Sequence, residues 1–167
     1  MTVTSSKKAT LTLPTDERIL VTREFDAPKT LVYKAWTTPE LVSRWWHANF
    51  GEMTTCEIDL RVGGKWRSVA VMEDGTEVGF HGEYREIVPE ERIVSTETYE
   101  GLPEGVSEEQ GTTLNTVTFA EADGRTKVTI LIQAASKESR DAIIDSGMER
   151  GMQIALDLLE QTARSLR

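Results

Sequence analysis

Side chains able to do chemistry are sparse in this chain, which has two histidines, one cysteine and four tryptophans. The densest cluster is Trp45-Trp46-His47, in "LVSRWWHANFGE". His47 is a candidate general acid or base, because imidazole titrates near neutral pH. It could equally close a helix C-terminus, where a protonated imidazole complements the helix dipole. No carboxylate partner stands near it in sequence, which favours the second role. Neighbouring helix residues point about 100° apart. Trp45 and Trp46 are therefore expected to diverge, one anchoring a short helix in the core and the other reaching a cavity mouth or the surface.

His81 lies in "GFHGEYRE". Strand alternation puts Phe80, Gly82 and Tyr84 on one face and His81, Glu83 and Arg85 on the other. With the first set inward, His81 stands outside among charges. Trp66, Ser68, Ala70 and Met72 likewise share a face whose mixed sizes suit a pocket wall or ordinary packing. Glu97 and Tyr99 share the parity of Ile93 and Ser95. If that parity is inward, Glu97 is a buried carboxylate needing a partner, with Arg67 or Lys65 as candidates.

Other chemistries find no support. His47, His81 and Cys56 lack any metal-ligand spacing, so no metal is expected. Cys56 reads as a small buried hydrophobe or an inert thiol. The chain holds no G-x-S-x-G, P-loop or dinucleotide fingerprint. No catalytic residue is assigned and no cofactor is expected.

The elements that position these residues follow from periodicity. Residues 1 to 16 are polar and Ser/Thr-rich, an expected flexible tail or edge extension. "ERILVTREF" alternates as a strand. "DAPKTLVYKAW" predicts a short helix with Asp26 as cap and Pro28 in its first turn. Thr38-Pro39-Glu40 predicts a second, running through Trp46. From 53 to 134 six β-rich runs alternate with turn pairs: Gly63-Gly64, Asp74-Gly75, Pro89-Glu90 and Asp123-Gly124. The acidic, Gly-rich link "EGLPEGVSEEQG" is expected to be a mobile loop.

Ser136 then caps a long C-terminal helix. Its apolar stripe includes Gly147, Met148, Gly151, Met152, Ala155 and Leu159. Glu149, Arg150, Gln153, Asp157, Glu160 and Arg164 take the opposite face. Met148 and Met152 suit either a promiscuous cavity or core gap filling. Two glycines on one buried helix face imply close backbone approach or space left for a ligand. The order predicts one α+β domain over 17–167: a curved antiparallel sheet of about seven strands, two short helices after the first strand, and a long helix across the concave face. One helix cannot fill such a hollow, so a cavity is expected beneath it.

Composition bounds the partners. The chain has 167 residues, 38% hydrophobic and 28% charged, as expected of a globular protein. Its net charge of −9 disfavours nucleic acid and anionic lipid surfaces. No apolar run reaches the roughly 20 residues a membrane helix needs. The N-terminal stretch has no secretory h-region, and one cysteine builds no internal disulfide framework, so a cytoplasmic location is expected.

Five stretches carry a family resemblance: "REFDAPKTLVYKAWTTPELVSRWW", "DLRVGGKWR", "GEYREIVPEERIVSTE", "VTFAEADGRTKVTI" and "SRDAIIDSGMERGMQIALDLL". In this order they resemble the bacterial proteins similar to the activator of Hsp90 ATPase (AHSA1-like), within the START/Bet v 1-like (SRPBCC) helix-grip superfamily. The resemblance spans nearly everything from Thr10 onward. The superfamily hosts lipid carriers, hormone receptors, cyclases and co-chaperones, so the resemblance implies a fold more than a reaction. Family members commonly carry Gly-Pro after the paired tryptophans, where this chain has His47-Ala48. They often carry an aromatic residue where it has Met152. The eukaryotic co-chaperone also has an N-terminal domain with no counterpart here, which argues against Hsp90 binding.

The expected function is binding of a small hydrophobic molecule by a monomer or homodimer. Trp45, Trp66, Tyr84, Tyr99, Met148 and Met152 are the expected lining, with His47 at the entrance. One alternative is a cyclase- or hydrolase-type enzyme pairing His47 or His81 with Glu97 in the same cavity. Another is a co-chaperone-like or regulatory protein whose partner is a chaperone or other protein.

Overall fold

The computed structural model describes residues 9–46 and 51–167. His47 and Ala48 lie outside the described residues. Among those described, eight strands form one antiparallel sheet in the order β1-β2-β8-β7-β6-β5-β4-β3. They are β1 Thr10–Thr12, β2 Arg18–Phe25, β3 Glu52–Ile58, β4 Lys65–Val71, β5 Glu77–Val88, β6 Arg92–Tyr99, β7 Thr112–Ala122 and β8 Arg125–Gln133. The sheet thus has the expected α+β, helix-grip form with one strand more than expected. The addition is β1, which pairs with β2 at the edge and sets Leu11 opposite Val21. Just before it, the Ala9 backbone exchanges hydrogen bonds with the Gln153 side chain.

Two short helices, α1 Lys29–Thr37 and α2 Pro39–Val42, connect β2 to β3. The break between them is covalent in origin. Pro39 has no N–H to continue α1, and Thr38 before it is held extended at φ −96° and ψ 120°. The residue preceding α1 is Pro28, not Asp26, whose backbone N–H is instead bonded to Glu160. α2 also ends earlier than expected. Ser43 to Trp46 form tight turns in which the Trp45 and Trp46 N–H groups both bond to the Val42 carbonyl.

The C-terminal segment departs most from expectation. Ser136 does cap a helix, its hydroxyl accepting from the Ser139 N–H. That helix, α3 Lys137–Asp145, then stops, and α4 Met148–Ser165 begins after Gly147. Gly147 sits at φ 83° and ψ 22°, a left-handed conformation that ends a helix and that glycine adopts without a Cβ penalty. A Cβ there would meet nothing within 4 Å. Its role is therefore a bend, not the close helix–sheet approach that an unbroken helix would imply.

The core lies between the inner sheet face and the helices. Ile19, Val21 and Phe25 of β2 face Val128 of β8, Val32 and Ala35 of α1, and Leu159 and Ala163 of α4, all nearly or fully buried. The same β2 parity carries Arg23, which is 2% exposed. Its guanidinium meets Asp157 at 2.6 Å and Glu160 at 3.4 Å, and lies 5.0 Å over the Phe25 ring. Glu160 therefore belongs to the core and not to the polar helix face expected for it. A charge placed at an apolar strand parity needs partners, and α4 supplies them.

Candidate functional site

Beyond this clamped end the sheet and α4 enclose a cavity of about 540 Å³. Its floor comes from alternating residues of six adjacent strands, β3 to β8, because only one parity of each strand faces α4. The strand pairing sets Ser68 opposite Phe80, Tyr84 opposite Ser95, and Ser95 opposite Asn115. α4 covers this floor with Met148, Gly151, Met152 and Ala155.

The wall toward α1 and α2 is aromatic. Trp36, Trp45, Trp46 and Trp66 all line the cavity. Their rings form a chain with centroid separations of 5.1, 5.7 and 6.0 Å, and Trp46 continues to Phe80 at 6.3 Å. These are separations at which tilted and edge-to-face rings attract. Trp45 is the buried anchor, donating from its indole to the Ala35 carbonyl at 3.0 Å. Trp46 nonetheless lines the same cavity. The expected divergence of the pair presumed a regular helix, and residues 43–46 are turns.

Trp66 reaches the floor across β5, donating from its indole to the Thr96 carbonyl of β6 at 3.1 Å. Gly82 makes this crossing possible. It stands opposite Trp66, and a Cβ on it would lie 1.8 Å from the Thr96 oxygen and 2.5 Å from the Trp66 indole nitrogen.

Of the residues expected at the site, Trp45, Trp66, Tyr84, Met148 and Met152 converge on this cavity. Tyr84 is buried, and that burial pushes its phenol pKa up. Tyr99 is not part of the lining. It has the inward parity but stands at the end of β6, 38% exposed, its ring 5.2 Å from Phe80. His47 lies outside the described residues. His81 points away on the outer face, where its Nδ1 is 2.9 Å from Glu100, which Arg67 also grips at 2.8 and 2.9 Å. Arg67, and after it His81, hold the Glu100 carboxyl down at about 2. An His81–Glu97 pair is therefore absent from the cavity, because alternate strand residues face opposite sides. Nor does Arg67 serve as the Glu97 partner.

Glu97 itself lines the cavity. Its partial exposure opens onto that space, and it makes no hydrogen bond or ion pair among the described residues. Burial alone raises its carboxyl from 4.5 to about 7. Asn115, beside Ser95, accepts from the Thr113 hydroxyl at 2.8 Å, and its amide N–H groups are unengaged among the described residues. Arg150, exposed in the first turn of α4, lines the rim. Asn115, Arg150, Trp36 and Phe80 were not anticipated at the site, and Trp46 only as a member of the pair of which one reaches a cavity mouth or the surface. For Asn115 a signal existed: a polar residue at the inward parity of Val117 and Phe119. Arg150 carried none, since helical period assigns it to the solvent face.

Among the described residues no three His, Cys, Asp or Glu side chains gather as a metal site, and no helix is long and apolar enough to cross a membrane. Cys56 is half-buried, and burial raises its thiol.

Residues 26–164 match the family model described as activator of Hsp90 ATPase homolog 1-like protein. No curated protein matches the chain. Among solved structures, a Rhodobacter sphaeroides protein is similar at 26% identity and a TM-score of 0.85, over 96% of this chain and 100% of its own. A Mycobacterium smegmatis protein, at 22% identity and TM-score 0.78 over 92% and 95%, shares the fold. So does an Arthrobacter aurescens protein, at 23% identity and TM-score 0.78 over 98% and 93%.

Proposed function

Because the chain belongs to the activator of Hsp90 ATPase homolog 1-like family, we propose that it binds a small, largely apolar molecule in the cavity under α4. The observation that carries this reading is the cavity itself: about 540 Å³, walled by four tryptophans and covered by two methionines. Ligand sites are typically concave, mostly apolar and of this size, with a few polar groups that fix orientation. Here Ser95, Glu97 and Asn115 are those groups.

Native mass spectrometry of freshly purified protein tests the reading. A co-purified mass that leaves on denaturation is the expected result. Gly151→Leu, which puts a side chain into the lining, is expected to abolish that mass while the protein still melts cooperatively. Retention of the mass by this variant would place the ligand elsewhere.

One observation favours a second reading, catalysis in the same cavity. A carboxyl near 7 suits a general acid or base at neutral pH. The family's description also keeps a chaperone among the candidate partners. Retention of purified Hsp90 on the immobilised, ligand-free protein would support that reading.

A further inference from the structure

We propose that the cavity selects cationic amphiphiles, molecules with an apolar body and a protonated amine, and that Glu97 holds the amine with Asn115 beside it. The inference rests on the cavity being a ligand site, as argued above.

Among the described residues, Glu97 is the one carboxylate in the lining, and no cation is paired with it. Two of the described cations are committed elsewhere, and Arg150 at the rim makes no ion pair with Glu97. Arg67 is on the outer face with Glu100, and Arg23 is held by Asp157 and Glu160. A desolvated carboxylate without a partner is costly, and a native structure that keeps one calls for an explanation. A ligand ammonium supplies what is missing, an opposite charge with N–H donors, and such charge-assisted bonds are the strong ones.

The surroundings favour a cation in a second way. Trp66 is bonded to the carbonyl of Thr96, the residue just before Glu97. Trp46 and Phe80 continue its ring chain. Ring faces attract cations, more so away from water. A net charge of −9 raises the local concentration of cations around the whole molecule.

Arg150 opposes this preference. The charged or titratable groups of the described lining are Glu97, Tyr84 and Arg150. Tyr84 stays neutral, since burial raises its phenol. Arg150 is exposed, so water and salt screen its field. Glu97 acts inside the cavity, where screening is weak. The carboxylate therefore outweighs the rim arginine in choosing the ligand charge.

The test is calorimetric titration of the whole chain with naphthylmethylamine, naphthylmethanol and naphthoic acid, which share one apolar body. At about pH 8, with Glu97 ionised, the amine is expected to bind about tenfold more tightly than the alcohol. That preference should shrink at about pH 6, where Glu97 is protonated. Glu97→Gln should bring amine and alcohol to equal affinity while leaving alcohol binding intact. Equal binding of all three by the native chain would overturn the proposal and leave the cavity reading standing. Tightest binding of the acid would do the same and pass selectivity to Arg150. Binding of none would remove the cavity reading, and the proposal with it.

Discussion

At the scale of single residues, Glu97 dominates the expected pH response. Its folded-state carboxyl near 7 lies above the ordinary 4.5, so the folded chain holds a proton that the unfolded chain releases. This contribution to stability is complete below about 4.5 and is lost as pH rises through about 7. The difference corresponds to about 3 kcal/mol at about pH 8. Glu97→Gln should therefore raise Tm at about pH 8 and flatten stability between about pH 5 and pH 8. Urea melts across that range read it directly, and an unchanged slope would show that Glu97 is solvated like a surface residue.

Glu100 behaves oppositely. Held near 2, its contribution is present above the ordinary 4.5 and is lost as pH falls through about 2. Its pairs with Arg67 and His81 are largely exposed, so the effect is small. His81→Ala is expected to leave ligand binding in the cavity unchanged, which a titration with any bound apolar probe would check.

At the scale of elements, two glycines set the site for different reasons. Gly82 lets the Trp66 indole cross β5, and an added methyl would collide with both the Thr96 carbonyl and the indole. Gly82→Ala should cost about 3 kcal/mol in chemical denaturation, as overpacking does. Gly147 has open space around it but a left-handed backbone. Gly147→Ala should cost about 1 kcal/mol, from conformation alone.

These two cases mark what was legible in the sequence. Periodicity exposed the strands, their turn pairs and their inward parities, so Trp66, Tyr84 and the conditional burial of Glu97 could be read in advance. It did not expose the break between α3 and α4. Helical period continues through Gly147, and only its φ reveals the bend. Nor did it expose that Trp45 and Trp46 both line the cavity, because turn geometry after Val42 replaced the regular helix that their divergence presumed. Glu160 was illegible on its own, since its burial depends on Arg23, more than a hundred residues earlier in the chain.

At the scale of the whole molecule, the sheet is joined to α4 at one end by charge. Glu160 accepts from Arg23 and from the Asp26 N–H, whose carbonyl in turn accepts from Arg167. Removing one partner of a buried pair strands the other. Glu160→Ala should cost about 3 kcal/mol, whereas the double change Arg23→Met with Glu160→Met should cost clearly less. Thermal melts of the three proteins decide the matter, and equal losses would mean that packing, not charge, fixes this end.

The bend at Gly147 precedes the first turn of α4, and the Arg23 clamp grips its C-terminal half at Asp157 and Glu160. The first two turns carry Met148 and Met152 over the cavity, and Gln153 ties the second of them to the Ala9 backbone. Amide hydrogen exchange should accordingly run as a gradient, slowest near Leu159 and Ala163 and fastest near Met148. Whatever molecule fills the space beneath should slow exchange at the fast end and leave the clamped end untouched.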